Sequence, residues 1–70
     1  MIVTRITPNQ QTKTYTAQNV RDAGRHVADV LHLNTGMSKA EATKHGMTLE
    51  KFGIATTNGY TFVINKESVQ

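Results

Sequence analysis

Apolar and polar residues alternate with a period of two near the start of the chain, and this alternation predicts a β-hairpin. One strand is expected at Ile2–Ile6, which is rich in β-branched residues, and the other at Thr12–Thr16. Residues 8–11 between them read Pro-Asn-Gln-Gln, which is typical of a turn.

The register of this hairpin follows from the position of its turn. A turn centred on residues 9 and 10 pairs Ile6 with Lys13. Side chains alternate between the two faces of a strand, so Ile2, Ile6 and Tyr15 then share one face. We expect the long helix to cover this apolar face.

Apolar residues next recur at helical spacing, which predicts the clearest helix of the chain over about residues 17–33. Thr16 is expected to cap its first turn, and the Asn-Thr-Gly sequence at 34–36 is expected to end it. Gly24 inside the helix costs about 1 kcal/mol relative to alanine, which a close contact between helix and sheet would explain. The apolar stripe consists of Val20, Ala23, Val27, Val30 and Leu31.

A second, shorter helix is predicted by its capping residues. Ser38 followed three positions later by Glu41 is a capping box. The helix is expected to run over about residues 39–45, with Ala40 facing inward, and Gly46 is expected to end it in the left-handed conformation.

Thr48 then begins a single further turn, and the whole segment resembles the helix-turn-helix of DNA-binding domains. The matching positions are Ala42, Gly46, Met47, Thr48 and Phe52. The resemblance implies that Thr48, Leu49 and Lys51 face the major groove, with Lys44 near a phosphate.

The Asn58-Gly59 pair predicts a second hairpin, because this pair is preferred in two-residue type I′ turns. Tight closure pairs Ala55 with Phe62 and places Tyr60 on the same face as both. After the helices, such a hairpin resembles a wing whose tip reaches the nucleic-acid backbone or minor groove.

The predicted order is therefore β-β-α-α-β-β, a small single α+β domain spanning 1–70 with antiparallel hairpins packed on a central amphipathic helix. Whether the hairpins share one sheet stays open. The polar tail at 66–70 is expected to fray.

Charge and composition narrow the class of partner. Eight Lys and Arg residues against five Asp and Glu residues give a net charge of +3 and favour an anionic partner, either nucleic acid or an acidic protein surface. There is no cysteine, apolar transmembrane run or signal peptide, so we expect a cytoplasmic protein without disulfides or a membrane partner. A chain this short buries only about 60% of its unfolded surface, and a homodimer would add to its stability.

The sequence shows no catalytic motif. Phosphate loops, nucleophile elbows and zinc-binding His pairs are missing, so neither an enzyme nor a cofactor or metal site is expected. Asp22 and His26 are four positions apart and read as a surface pair.

We therefore interpret the chain as a non-enzymatic binding module, with DNA binding or regulation as the best single assignment. The alternative is an inhibitor or adaptor that acts on a nucleic-acid machine, of the kind that phages and mobile elements use against host systems, including anti-CRISPR-like proteins. The residues expected to contact nucleic acid or another partner are Arg21, Arg25, Lys39, Lys44, Thr48, Lys51, Asn58 and Tyr60.

Overall fold

A computed structural model describes residues 1–65 and confirms the α+β class and the β-β-α-α-β-β order. The predicted frayed tail at 66–70 lies outside the described residues. The elements are β1 Ile2–Ile6, β2 Thr12–Thr16, α1 Val20–Thr35, α2 Lys39–Phe52, β3 Ile54–Thr57 and β4 Tyr60–Asn65.

The two hairpins join in one four-stranded antiparallel sheet of order β2-β1-β4-β3. The central pair is β1 and β4, in which Val3 lies opposite Ile64. The two helices together connect the edge strand β2 to the edge strand β3. Both helices cover the same face of the sheet, so the domain has two layers with the core between them.

The register predicted for the first hairpin is wrong by one residue. Ile6 pairs with Thr12, and Val3 pairs with Tyr15. The cause is a five-residue loop in which the Gln10 N–H donates to the Thr7 carbonyl at 2.8 Å and Gln10 adopts a positive φ of 67°. A shift of one residue turns β1 over relative to β2. Val3 therefore joins Tyr15 on the helix-facing side, and Ile2 and Ile6, which were predicted there, lie on the outer face.

The second hairpin has the predicted turn and the predicted pairing. Asn58 and Gly59 have φ angles of 51° and 83°, as a type I′ turn requires. Ala55 lies opposite Phe62, and both are buried beneath the helices.

Helix α1 begins later than predicted. Its N-cap is Asn19, whose side-chain oxygen accepts a hydrogen bond from the Asp22 N–H at 2.8 Å, and Thr16 is the last residue of β2. The helix runs to Thr35 and ends at Gly36, within the 34–36 segment predicted to stop it, and Gly36 adopts the left-handed conformation. Of the apolar stripe, only Val20 is exposed.

Helix α2 runs without a break through Gly46, so the predicted helix end at this residue is wrong. The N-cap role of Ser38 is confirmed, and the C-cap is Gly53. Ala42 is fully buried, whereas Ala40 is exposed, so the inward-facing residue was wrongly predicted.

Gly24 and Gly46 mark the point where the two helices touch. A Cβ atom added to Gly24 would lie 2.8 Å from the Gly46 carbonyl oxygen. Gly24 therefore permits a close helix–helix contact, and the predicted contact between Gly24 and the sheet is wrong. The absence of both side chains lets the two backbones approach.

Candidate functional site

The close approach of α1 and α2 forms a groove of about 390 Å³ along the outer side of the helical layer. Three predicted site residues, Arg21, Arg25 and Lys39, line this one groove. They are far apart in sequence, and the crossing at Gly24 and Gly46 brings them together. We call this feature the interhelical groove.

Helical spacing explains why these cations face the groove. Arg21 and Arg25 are one turn apart on α1, so they share a face. Lys39 and Thr43 are likewise one turn apart on α2, and Lys39 lies in its first turn. The peptide dipoles at that end of α2 add positive potential to the lysine charge.

Two carboxylates also line the interhelical groove. These are Asp29 and Glu50, and the Glu50 side chain lies directly over Gly24. A Cβ atom at Gly24 would come within 2.6 Å of the Glu50 Oε2 atom. Three cationic side chains against two acidic ones leave the groove with a small positive excess.

The exposed stripe of α2 carries three further predicted residues, Lys44, Thr48 and Lys51. They recur at helical spacing, and the Thr48 hydroxyl donates to the Lys44 carbonyl at 3.0 Å. Leu49, which the helix-turn-helix resemblance placed toward the major groove, is fully buried instead. The reason is that α2 is one continuous helix, which leaves no separate recognition helix.

A second concavity, of about 350 Å³, lies at the end of α2. It is lined by Thr48 and Lys51 together with Met47 and Phe52, which are 60% and 68% exposed. The Lys51 Nζ lies 5.5 Å from the centre of the Phe52 ring. We call these four residues the α2-end patch. Glu50 also lines this concavity. Exposed apolar surface with polar and charged side chains around it is typical of a contact region rather than of a core.

Asn58 and Tyr60 lie in the sheet layer, where they are part of the second hairpin. Asn58 is exposed, whereas Tyr60 is half-buried and its ring stacks on Phe62 at a centroid distance of 5.8 Å. Gly59 packs against Pro8 of the first hairpin turn. The tip of the second hairpin therefore packs against the turn of the first hairpin and does not project as a separate wing.

A cluster that the sequence analysis missed lies where α1 overhangs the edge strand β2. Arg5 and Lys13 are direct partners across β1 and β2 on the helix-facing side. With Tyr15 and His26 they line a cavity of about 90 Å³. The sequence-based register did not predict this cluster, because it paired Lys13 with Ile6 and not with Arg5.

The rings of Tyr15 and His26 are in contact, with a centroid distance of 3.6 Å. The Tyr15 hydroxyl donates to the Asp22 backbone carbonyl at 3.0 Å, which holds the phenol ring in place. Burial, followed by the positive charge of Arg5, lowers the pKa of His26, while Asp29 and Asp22 act in the opposite direction. Burial and the same two carboxylates raise the pKa of Tyr15 to about 12.

The outer face of the sheet, on the side away from the helices, carries no charged residue in the described chain. The strand registers place only β-branched residues and one asparagine there. The residues are Ile2, Thr4, Ile6, Thr12, Thr14, Thr16, Ile54, Thr56, Thr61, Val63 and Asn65.

Neither a metal-binding cluster nor a membrane-spanning helix occurs within residues 1–65. That part of the chain holds no group of three or more His, Cys, Asp or Glu residues arranged to bind a metal ion. Its helices are too short or too polar to cross a membrane. Comparison with known proteins finds no matching family model, no matching curated protein and no matching solved structure.

Proposed function

We propose that this protein is a non-enzymatic, cytoplasmic binding module that contacts nucleic acid through the interhelical groove. The observation that carries the proposal is the convergence of Arg21, Arg25 and Lys39, from two helices, on one groove. Arginine and lysine side chains on one surface neutralise phosphates, and this contact does not depend on base sequence.

The exposed stripe of α2 extends this surface. Lys44 and Lys51 lie on the same helix as Lys39 but on the adjacent exposed face, so a phosphate backbone crossing the groove would have to continue around α2 to reach them. Because α2 is not divided into two helices, we assign these contacts to the backbone rather than to base reading. The expected mode is modest affinity with steep salt dependence.

The test uses two double variants that lower the net charge equally. Arg21→Gln with Arg25→Gln removes two positive charges from the groove. Thr12→Glu with Thr14→Glu adds two negative charges on the outer face of the sheet, where both threonines are exposed.

Fluorescence anisotropy with a duplex bearing 5′-hydroxyl ends is measured from about 50 to about 200 mM salt. We expect the groove variant to lose most of the affinity. A plot of log affinity against log salt concentration is expected to become less steep by about 0.9 for each of the two phosphate contacts that are lost. The sheet variant is expected to retain both. Equal losses in the two variants, or no binding by the parent protein at the lowest salt, would contradict the proposal.

A second candidate function is inhibition of a nucleic-acid enzyme, or an adaptor role on it, through the α2-end patch. The exposure of Met47 and Phe52 favours it, because large apolar side chains are frequent anchors in protein interfaces. Lys44 and Lys51 suit an acidic protein surface around such an anchor.

Phe52→Ala and Arg25→Gln separate the two functions. If the partner is a protein, Phe52→Ala abolishes inhibition of the purified target enzyme, whereas Arg25→Gln leaves it intact. Nucleic-acid binding gives the reverse order of effects on duplex affinity. An inhibitor that tolerates Phe52→Ala would exclude the α2-end patch as its contact.

A further inference from the structure

We propose that Arg5, Lys13 and His26 form a binding site for a phosphoryl group, at the edge where α1 overhangs β2. The three residues come from β1, β2 and α1, and they line one cavity. The ligand class is a tetrahedral oxyanion, either free phosphate or a terminal phosphate on a larger molecule. This site is separate from the interhelical groove and does not depend on the function proposed for it.

The first argument is the pairing of two like charges. Arg5 and Lys13 lie directly opposite each other on the helix-facing side of the sheet. Like charges in that position destabilise a sheet. An anion between them would convert the repulsion into two attractions.

The second argument is an unsatisfied donor. The Arg5 Nε atom is shielded from solvent and has no hydrogen-bond partner within residues 1–65. A buried donor with no acceptor in the surrounding protein is rarely left uncompensated in native structures. Guanidinium groups match phosphate oxygens with two parallel hydrogen bonds, so a phosphoryl group would supply the missing acceptor.

The third argument is size and rigidity. A volume of about 90 Å³ equals roughly three water molecules at about 30 Å³ each, enough for a phosphoryl group but not for a nucleobase beside it. The His26 ring is held against Tyr15, and the Tyr15 hydroxyl is tied to the Asp22 carbonyl. The cavity is thus formed before a ligand arrives.

The charges around His26 set the pH dependence of binding. Arg5 faces it from β1, Lys13 and Tyr15 face it from β2, and Asp22 and Asp29 flank it on α1. Burial and Arg5 lower the pKa of His26 and therefore favour the neutral form of its ring. A bound dianion favours the protonated ring, so affinity rises as the pH falls through the pKa of His26. A phosphomonoester gains a proton near pH 6 and inorganic phosphate does so near neutral pH, so sulfate, which stays dianionic, is the better probe of this effect.

The experiment is a titration of the full chain with sulfate and with inorganic phosphate, followed by NMR signals of the His26 ring. We expect saturable shifts at His26, with sulfate binding several-fold tighter at about pH 5.5 than at about pH 7.5. Lys13→Gln is expected to weaken binding about tenfold. The matched control Lys51→Gln removes the same charge from α2 and is expected to leave the affinity unchanged.

Three outcomes would overturn the proposal: equal weakening by Lys13→Gln and Lys51→Gln, shifts scattered over all cationic residues, or sulfate affinity independent of pH. Arg5→Gln provides a second variant, with its fold checked by the unchanged methyl signals of Val27 and Leu31. A nucleoside 5′-monophosphate as a further probe distinguishes the sources. If the nucleotide binds more tightly than inorganic phosphate, the ligand is a terminal phosphate on a larger molecule. Equal affinities of the two probes identify the free ion. Arg21→Gln with Arg25→Gln is expected to leave the phosphate-induced shifts of the His26 ring unchanged, which separates this site from the interhelical groove.

Discussion

At the residue scale, the two phenylalanines have opposite surroundings. Phe62 is fully buried between the sheet and the helices, whereas Phe52 is 68% exposed at the end of α2. Both belong to apolar positions of the sequence, yet only one contributes to the core. The burial of Phe62 follows from its place on the central strand β4, opposite Arg5 and Ala55.

The matched pair Phe62→Ala and Phe52→Ala tests this difference. Truncation of Phe62 is expected to lower the free energy of unfolding by about 3–5 kcal/mol, close to the whole stability of a small domain. Phe52→Ala is expected to change it by less than about 0.5 kcal/mol. Urea unfolding followed by circular dichroism measures both, and similar midpoints for the two variants would show that Phe62 is not the core residue.

His26 gives the domain a pH dependence of stability. Its pKa is lowered in the folded state, so the folded chain binds fewer protons than the unfolded chain as the pH falls from about 7 toward the folded pKa. Stability is therefore fully present above the unfolded pKa near 6.5 and declines below it. We expect His26→Gln to flatten this decline between about pH 6.5 and 5 in thermal unfolding. An unchanged slope in that variant would assign the decline to other groups.

At the element scale, the glycine pair determines how α1 and α2 pack. Gly46→Ala would gain helix propensity of about 1 kcal/mol, but its Cβ atom would overlap the Gly24 carbonyl. Overpacking costs about 1–3 kcal/mol, so we expect a net loss of stability and a displaced α2. Thr48→Ala, on the exposed side of the same helix, is the control and is expected to be neutral or slightly stabilising. A Gly46→Ala variant that melts above the parent would contradict the close contact.

The elements also show which features the sequence predicts and why. Ser38, Gly36 and the Asn58-Gly59 turn act through hydrogen bonds and dihedral angles within a few residues, so local sequence suffices to predict them. Gly46 serves equally well as a helix end or as a contact point. Which role Gly46 takes depends on its contact with α1, and the sequence around position 46 carries no information about that contact.

The candidate sites follow the same rule. The one-turn spacing of Arg21 and Arg25 is visible in the sequence, but the arrival of Lys39 beside them depends on how the helices cross. The Arg5–Lys13 pair was missed because a single residue in the first turn changes the register and therefore the face. Turn geometry of that kind is weakly encoded in a Pro-Asn-Gln-Gln segment.

At the scale of the whole molecule, charge is segregated between the two layers. The charged residues within 1–65 lie on the helices or on the helix-facing side of the sheet, and the outer face of the described sheet is uncharged. The homodimer stays a prediction, and that face is where two copies of a +3 chain would meet with the least repulsion. Sedimentation velocity of the parent protein tests it, with Thr4→Glu as the variant expected to restore a monomer.

The strand order also has a consequence during synthesis. Strand β1 is made first, yet its second neighbour is β4, whose residues follow almost at the end of the described chain. While the chain is still growing on the ribosome, β1 has one unpaired edge, and the pocket that Phe62 fills in the finished core is open. The hairpin β1–β2 and both helices therefore remain incompletely packed until β4 is available to pair with β1. We therefore expect most of the stability to arise in one late step, once β4 is available, and the unpaired β1 edge to be the aggregation hazard before that step.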